Sequence, residues 1–145
     1  MSLDELIRKD LIRKDVPDRK KAGNSLKLAE HNIEIAKKSI EAESYESAFI
    51  SAYAAMFHCA RALLFRDGYK ERGHYALYIY LKEKYRDKIE MKYLNELNSL
   101  RTIRHKVIYG DEDLNIREVQ ESEVESAIKA AEGFLKVVRK LIEEM

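Results

Sequence analysis

The sequence predicts an all-α protein, an antiparallel up-and-down helical bundle of five to six helices including a short N-terminal one. Three observations carry this. Apolar residues recur at i, i+3 and i+4 along most of the chain. The 145 residues contain one proline and five glycines, so few points interrupt a helix. No alternating run of β-branched residues marks an extended strand. The length favours one domain over residues 1–145 with a single core, and no linker is long enough to separate two.

The periodicity predicts a first helix over about 3–15, containing the tandem LIRKD-LIRKD of residues 6–10 and 11–15. A five-residue repeat does not match a 3.6-residue turn, so its apolar pairs spiral around the helix. Such a segment is expected to be loosely packed or partner-seeking. Pro17 suits the first turn of a second helix running to about 42, with Leu26, Ala29, Ile33, Ala36 and Ile40 on one face. Ser44 can cap a third helix, and Gly68 can supply its left-handed C-terminal residue. A shorter helix is expected at about 74–86 and a long one at 90–109, stopped by Gly110. The acidic loop GDEDLN then leads into a last helix at about 116–144, striped by Val119, Val124, Ile128, Ala131, Leu135, Val138 and Ile142.

Helix three is the most apolar. Phe49, Ala52, Tyr53, Met56, Phe57, Ala60, Leu63 and Leu64 form one stripe, while Ser47, Ser51, Ala54, Ala55 and Ala62 make a small-residue back. That pattern suits a helix packed on both sides, its back meeting either another helix of the chain or the same helix of a second subunit. Cys59 is the single cysteine, so no intrachain disulfide forms, and its apolar neighbours read as core. His58 on the small side reads as a partly buried histidine.

Several function classes are disfavoured. Lys and Arg number 27 against 26 Asp and Glu, which argues against coating nucleic acid through bulk charge. The charge is nonetheless uneven, with a mildly basic segment over 82–110 followed by an acidic one over 111–145. His31, His58, His74 and His105 include no pair at i, i+4 metal-ligand spacing, and phosphate-loop, dinucleotide and nucleophile-elbow motifs are absent. No metal or other cofactor is expected. MSLDEL does not open a signal peptide. The most apolar run, Ala48 to Phe57, is about half of the ~20 residues a membrane span needs, so a cytoplasmic protein without a membrane role is expected.

The stretch RTIRHKVIYG, residues 101–110, carries the candidate chemistry. On a helical wheel Leu94, Leu97, Leu100, Ile103, Val107 and Ile108 make an apolar face, and Asn98, Arg101, Thr102, His105 and Tyr109 gather opposite. Arg104 projects from the middle of the apolar face. A buried, unpaired guanidinium is very costly and does not shed its proton. Arg104 therefore meets a carboxylate such as Glu46, faces a cleft that an anion enters, or extends its stem to the surface. Arg101 and His105, at i, i+4, are compatible with a solvated helix face.

AFISAYAAMFHCARALLFRDG, residues 48–68, resembles the signature helix of the HEPN superfamily, with Tyr53, Ala55, Met56, Phe57, His58, Ala60, Arg61, Ala62, Leu63, Leu64 and Gly68 matching or nearly matching. RGHYALYIYLKEKY resembles the next family helix, which often begins near a His. LNSLRTIRHKVIYGD resembles the helix that carries the family's arginine, and AIKAAEGFLKVVRKLI fits the last one. The resemblance covers roughly 22–143 and is closest to the small single-domain, toxin-like branch. The N-terminal segment 1–16 lies outside it.

The resemblance implies a bundle that dimerises and sets the motif helices of two subunits across a shared cleft. Many members are metal-independent ribonucleases, including toxins neutralised by a nucleotidyltransferase-like antitoxin. Their motif is an Arg, four to six residues, then a His, for general acid–base attack of a ribose 2′-OH on the adjacent phosphate. Arg104 takes the arginine position. No His follows it. Tyr109 stands where the His would fall at the shortest spacing, and Ile108 replaces the Asp often found before it. A phenol with pKa near ~10 is a poor proton shuttle at neutral pH. The resulting expectation is a homodimeric module binding nucleotide or RNA phosphate through Arg104, Arg101, His105 and Asn98, with weak or no catalysis. Its partner would be a nucleotidyltransferase-like antitoxin, for which Tyr109 is an accessible acceptor. The alternatives are a metal-independent endoribonuclease toxin using Arg104 with Tyr109 or Arg101 with His105, and a non-catalytic helical adaptor with Arg104 in a salt bridge.

Overall fold

The computed structural model describes residues 1–144. In chain order its elements are α1 (Leu3–Arg8), β1 (Ile12–Lys14), α2 (Arg19–Glu41), α3 (Tyr45–Asp67), β2 (Tyr69–Glu71), α4 (His74–Lys84), α5 (Met91–Tyr109) and α6 (Glu121–Glu143). The all-α expectation holds, apart from one short antiparallel ribbon between β1 and β2.

That ribbon corrects the first predicted helix. The helix ends at Arg8, and the second LIRKD copy runs extended, with Ile12 opposite Glu71 and Lys14 opposite Tyr69. The break is at Asp10, which adopts a left-handed backbone (φ 60°). Its carboxylate gathers Arg13 (2.9 Å) and Arg72, clamping the turn to the residue after β2. Leu6 and Ile12 are both fully enclosed, so the segment is part of the core and not loosely packed.

Pro17 precedes α2 and does not enter its first turn. Asp18 is the N-cap, and its carboxylate accepts the Lys21 backbone N–H at 2.9 Å. Gly68 ends α3 in the left-handed region (φ 88°), as its position predicts. It has a second reason to be glycine, because a Cβ there would lie 2.9 Å from Pro17 Cδ. Ser44 occupies the N-cap position of α3, but its hydroxyl makes no capping bond.

α6 starts at Glu121, five residues later than the pattern suggests. Asp111 accepts the backbone N–H groups of Asp113 and Asn115, both at 2.9 Å, and folds GDEDLN into a tight turn. Leu114 within it has φ 64°. Arg117 and the Gln120 backbone N–H then both engage the Glu123 carboxylate and define the helix start.

α3 is the axis of the bundle. Its stripe from Phe49 to Leu64 is buried apart from a half-buried Phe57. Ser51, Ala55 and Ala62 of the small-residue back are buried, with α2 of the same chain packed along α3, while Ser47 stays exposed and Ala54 half-buried. There the Ser25 hydroxyl donates to the His58 backbone carbonyl at 2.7 Å. This decides between the two occupants open at the sequence level. α3 is also long and apolar enough to cross a membrane by composition, yet it is the core helix enclosed by α2, α5 and α6. Its end is held by a buried polar network. The Arg66 guanidinium donates to the Leu141 carbonyl (3.0 Å) and the Tyr85 hydroxyl (2.6 Å), while Tyr80 and Tyr85 donate to Asp67.

Candidate functional site

The outward-facing meeting of α3, α4 and α5 holds the candidate chemistry. Arg104 leaves α5 toward α3, where its Cζ lies 5.6 Å from the centroid of the Tyr53 ring. A cation over an aromatic face is favourable but leaves the guanidinium donors unsatisfied. Among the described residues Arg104 has no ion pair or hydrogen bond with protein, and its nitrogens are not sealed from solvent. Glu46 does not reach it. The exposed Glu46 makes no ion pair among the described residues, so the internal salt bridge is not formed.

Arg101 is one turn away. Asn98 Oδ1 accepts from its Nε at 3.2 Å and Nη2 at 3.0 Å, and its Cζ lies 5.1 Å from the Tyr75 ring. Asn98 thus orients Arg101 without neutralising it. Arg61 on α3 differs, because its Nε lies 2.8 Å from a largely buried Glu71 carboxylate.

Between these cations stands His74, the first residue of α4. Its Nδ1 is 2.7 Å from the Tyr53 hydroxyl, and its ring stacks on Phe57 at 4.2 Å and 19°. Burial lowers the His74 pKa, and the fields of Arg104, Arg101 and Arg61 lower it further. Burial pushes the Tyr53 phenol up to about 12, against the pull of Arg104 and Arg101. The result is a positive face with a neutral imidazole in it.

His105 and Tyr109 pair with each other on the outside of α5, ring centroids 4.8 Å apart, and Tyr109 is 63% exposed. Five residues along a helix turn a side chain by about 140°, so Arg104 and Tyr109 leave α5 on different faces. The structure therefore joins Asn98 to Arg101 and His105 to Tyr109, and gives Arg104 neither Tyr109 nor His105. It gives Arg104 instead Tyr53 and His74, which sequence reasoning passed over. Tyr53 reads as core, correctly, and the signals for His74 are its place just after Gly73 at the start of α4 and the resemblance of RGHYALYIYLKEKY to a family helix that often begins near a His.

A concavity of about 440 Å³ beside β2 is lined by Lys21, Asn24, Ser25, Arg61, Lys70 and Glu71. Two of its cations are ion-paired, Arg61 with Glu71 and Lys70 with Asp15, and Lys21 lies over the Phe65 ring at 5.7 Å. Nearby His58 has a buried Nδ1 without a partner, and burial and Arg61 lower its pKa. No cluster of His, Cys, Asp and Glu converges as a metal site among the described residues.

Residues 22–141, from the first turn of α2 almost to the end of α6, match the family model described as HEPN domain. The chain is also similar to the Methanocaldococcus jannaschii protein named "Putative toxin MJ0605", at 29% identity over 143 residues covering 94% of this chain and 98% of that one. The helix carrying Arg104, the core helix carrying Tyr53 and the helix opened by His74 all lie within the matched region, and the chain belongs to the HEPN domain family.

Proposed function

We propose that this protein is a toxin-like HEPN module that works as a homodimer and binds RNA phosphate on the face made by Arg101 and Arg104. The observation that carries the reading is Arg104 itself. It is a half-buried guanidinium with no carboxylate, and its cost is offset when an anion arrives. Asn98 supports it by holding Arg101 ready to bond. The name borne by the M. jannaschii relative agrees with a toxin-like role.

The same reading includes a nucleotidyltransferase-like antitoxin as partner. Tyr109 is exposed at the end of α5 and accessible to a modifying enzyme. In the ribonuclease alternative the proton shuttle would be Tyr109 beside Arg104, or His105 one turn along the same face from Arg101. Tyr109 leaves the helix on another face from Arg104, and His105 packs against Tyr109.

The test is binding of a short, fluorescein-labelled 2′-O-methyl RNA, followed by anisotropy. Wild type should bind and Arg104→Ala should lose at least about tenfold in affinity, the worth of one charge-assisted contact. A wild type that does not bind, or an Arg104→Ala that binds equally well, overturns the reading.

A further inference from the structure

The concavity beside β2 draws its walls from three elements. Lys21, Asn24 and Leu28 stand at i, i+3 and i+7 on one face of α2. Arg61 and Phe65 stand at i and i+4 on α3, and Lys70 and Glu71 come from β2. Its volume of about 440 Å³ falls in the range of small-molecule sites, roughly 300–1,000 Å³. Arg101 and Arg104 do not line it.

Its polar groups differ in what they can still bond. The Ser25 hydroxyl gives its proton to the His58 carbonyl, and Lys70 is ion-paired with Asp15. Arg61 is different. Its Cζ lies 5.5 Å from the Phe57 ring centroid and 4.9 Å from that of Phe65, contacts that hold the guanidinium in place. Glu71 meets it at Nε, 2.8 Å away, yet that Nε is sealed from solvent without a hydrogen-bond partner among the described residues. The side chain keeps 32% exposure, and no hydrogen bond among the described residues uses its Nη groups. The Lys21 ammonium lies over Phe65 with no carboxylate at ion-pair distance, and the exposed Asn24 amide makes no hydrogen bond, both among the described residues. Lys21, Asn24 and Arg61 therefore remain as three donor groups on one concavity.

We infer that this concavity binds a phosphate monoester, its phosphate on Lys21, Asn24 and Arg61 and its apolar body against Leu28 and Phe65. A terminal phosphate has three unesterified oxygens, one for each donor group, where a carboxylate or a phosphodiester offers two. It is close to dianionic at neutral pH. It therefore gains more from a guanidinium and an ammonium than a monoanion does, against the repulsion of Glu71 and of the Asp15 that pairs with Lys70. The planar fork of Arg61 suits phosphate in particular. Leu28 is 47% exposed and Phe65 half-buried, so an apolar wall adjoins the donors, as small organic ligands require. The site is separate from the face made by Arg101 and Arg104 and does not depend on the reading given to that face.

The experiment titrates phenyl phosphate into the full chain at constant ionic strength and follows amide resonances by heteronuclear NMR, with benzoate as the carboxylate counterpart. Wild type should saturate with a Kd of about 1 mM or tighter, with shifts centred on residues 21–28 and 61–71. Benzoate should bind at least about tenfold more weakly. Lys21→Ala, at an exposed position, should lose at least about tenfold in affinity, and Arg61→Lys should also weaken binding because it loses the fork. Lys27→Ala, exposed on α2 outside the concavity, should bind like wild type. Arg104→Ala separates the two sites and should keep the phenyl phosphate affinity within a few-fold. A phosphate monoester also ends an RNA chain, so 5′-phosphorylated 2′-O-methyl RNA is compared with its 5′-hydroxyl form. A preference for the phosphorylated RNA that Lys21→Ala removes assigns the ligand to an RNA end, and phenyl phosphate binding without that preference assigns it to a free small molecule. Either result supports the site. A wild type without saturable phenyl phosphate binding overturns the inference. So does a Lys21→Ala that binds it equally well, benzoate bound as tightly as phenyl phosphate, or affinity lost only in Arg104→Ala. None of these outcomes bears against RNA binding by Arg101 and Arg104.

Discussion

Arg104 lies over Tyr53, its Cζ 5.6 Å from the ring centroid, and the hydroxyl of that same tyrosine meets His74 Nδ1 at 2.7 Å. One core side chain therefore connects a cation of α5 to an imidazole of α4. Its ring seats the arginine and its hydroxyl seats the histidine.

Because Arg104 has no carboxylate or hydrogen-bond partner among the described residues and loses only its contact with the Tyr53 ring, its removal should cost little stability. Arg104→Ala should shift the folding free energy by about 1 kcal/mol or less, the worth of a partly exposed cation–aromatic contact. Urea denaturation would measure it. A loss above about 3 kcal/mol would instead mark a structural ion pair of the adaptor kind. Arg104→Lys should retain part of the RNA affinity, since an ammonium supplies charge but not the planar fork.

The two glycines of α2 and the α3 end should respond in opposite directions to alanine. Gly23 lies inside α2 with nothing within 4 Å of a new Cβ, so Gly23→Ala should stabilise by about 0.5–1 kcal/mol. Gly68 has φ 88° and would press a Cβ onto Pro17, so Gly68→Ala should destabilise by more than about 1 kcal/mol. Melting temperatures of the pair check this, and equal shifts of the same sign would refute the packing of Pro17 on Gly68.

Stability should fall on acidification below about pH 6.5. His58 and His74 both have lowered pKa values, through burial and then, for His58, Arg61 and, for His74, Arg104, Arg101 and Arg61. The unfolded chain therefore takes up protons at these positions before the folded one does, and protonation favours unfolding. This contribution is fully present above the unfolded pKa and is lost as pH falls through the folded values. Urea midpoints at about pH 7.5 and 5.5 should differ in that sense, and His58→Gln should flatten the difference. A midpoint that rises on acidification contradicts the assignment.

The chain should sediment as a homodimer, at twice its 17.0 kDa mass. Beyond α5, Leu114 and Ile116 are each 82% exposed, next to Ile108 and Tyr109 on the last turn of the helix. An apolar group of this kind suits an interface. Ile116→Glu should weaken association without lowering the melting temperature of the monomer, as light scattering across a dilution series would report. A clean wild-type monomer at micromolar concentration removes the shared-cleft argument.

Periodicity alone was enough to place α2, α3 and α5 and most of their buried faces, because a 3.6-residue apolar repeat has one efficient way to leave water. Sequence also singled out Arg104, since a cation on an apolar stripe conflicts with its surroundings wherever the helix packs. The tertiary structure decided what local pattern leaves undetermined. The two LIRKD copies are identical, yet one is helix and one is strand, because only the second meets β2 and only the first Asp is clamped by Arg13 and Arg72. The back of α3 could pack on either of two helices, and Ser25 of α2 occupies it. Tyr53 and His74 are 21 residues apart on different helices, and nothing in their spacing marks them as a pair. Helix periodicity reports which side of a helix is buried, but the neighbour it is buried against depends on how the whole chain closes around its core.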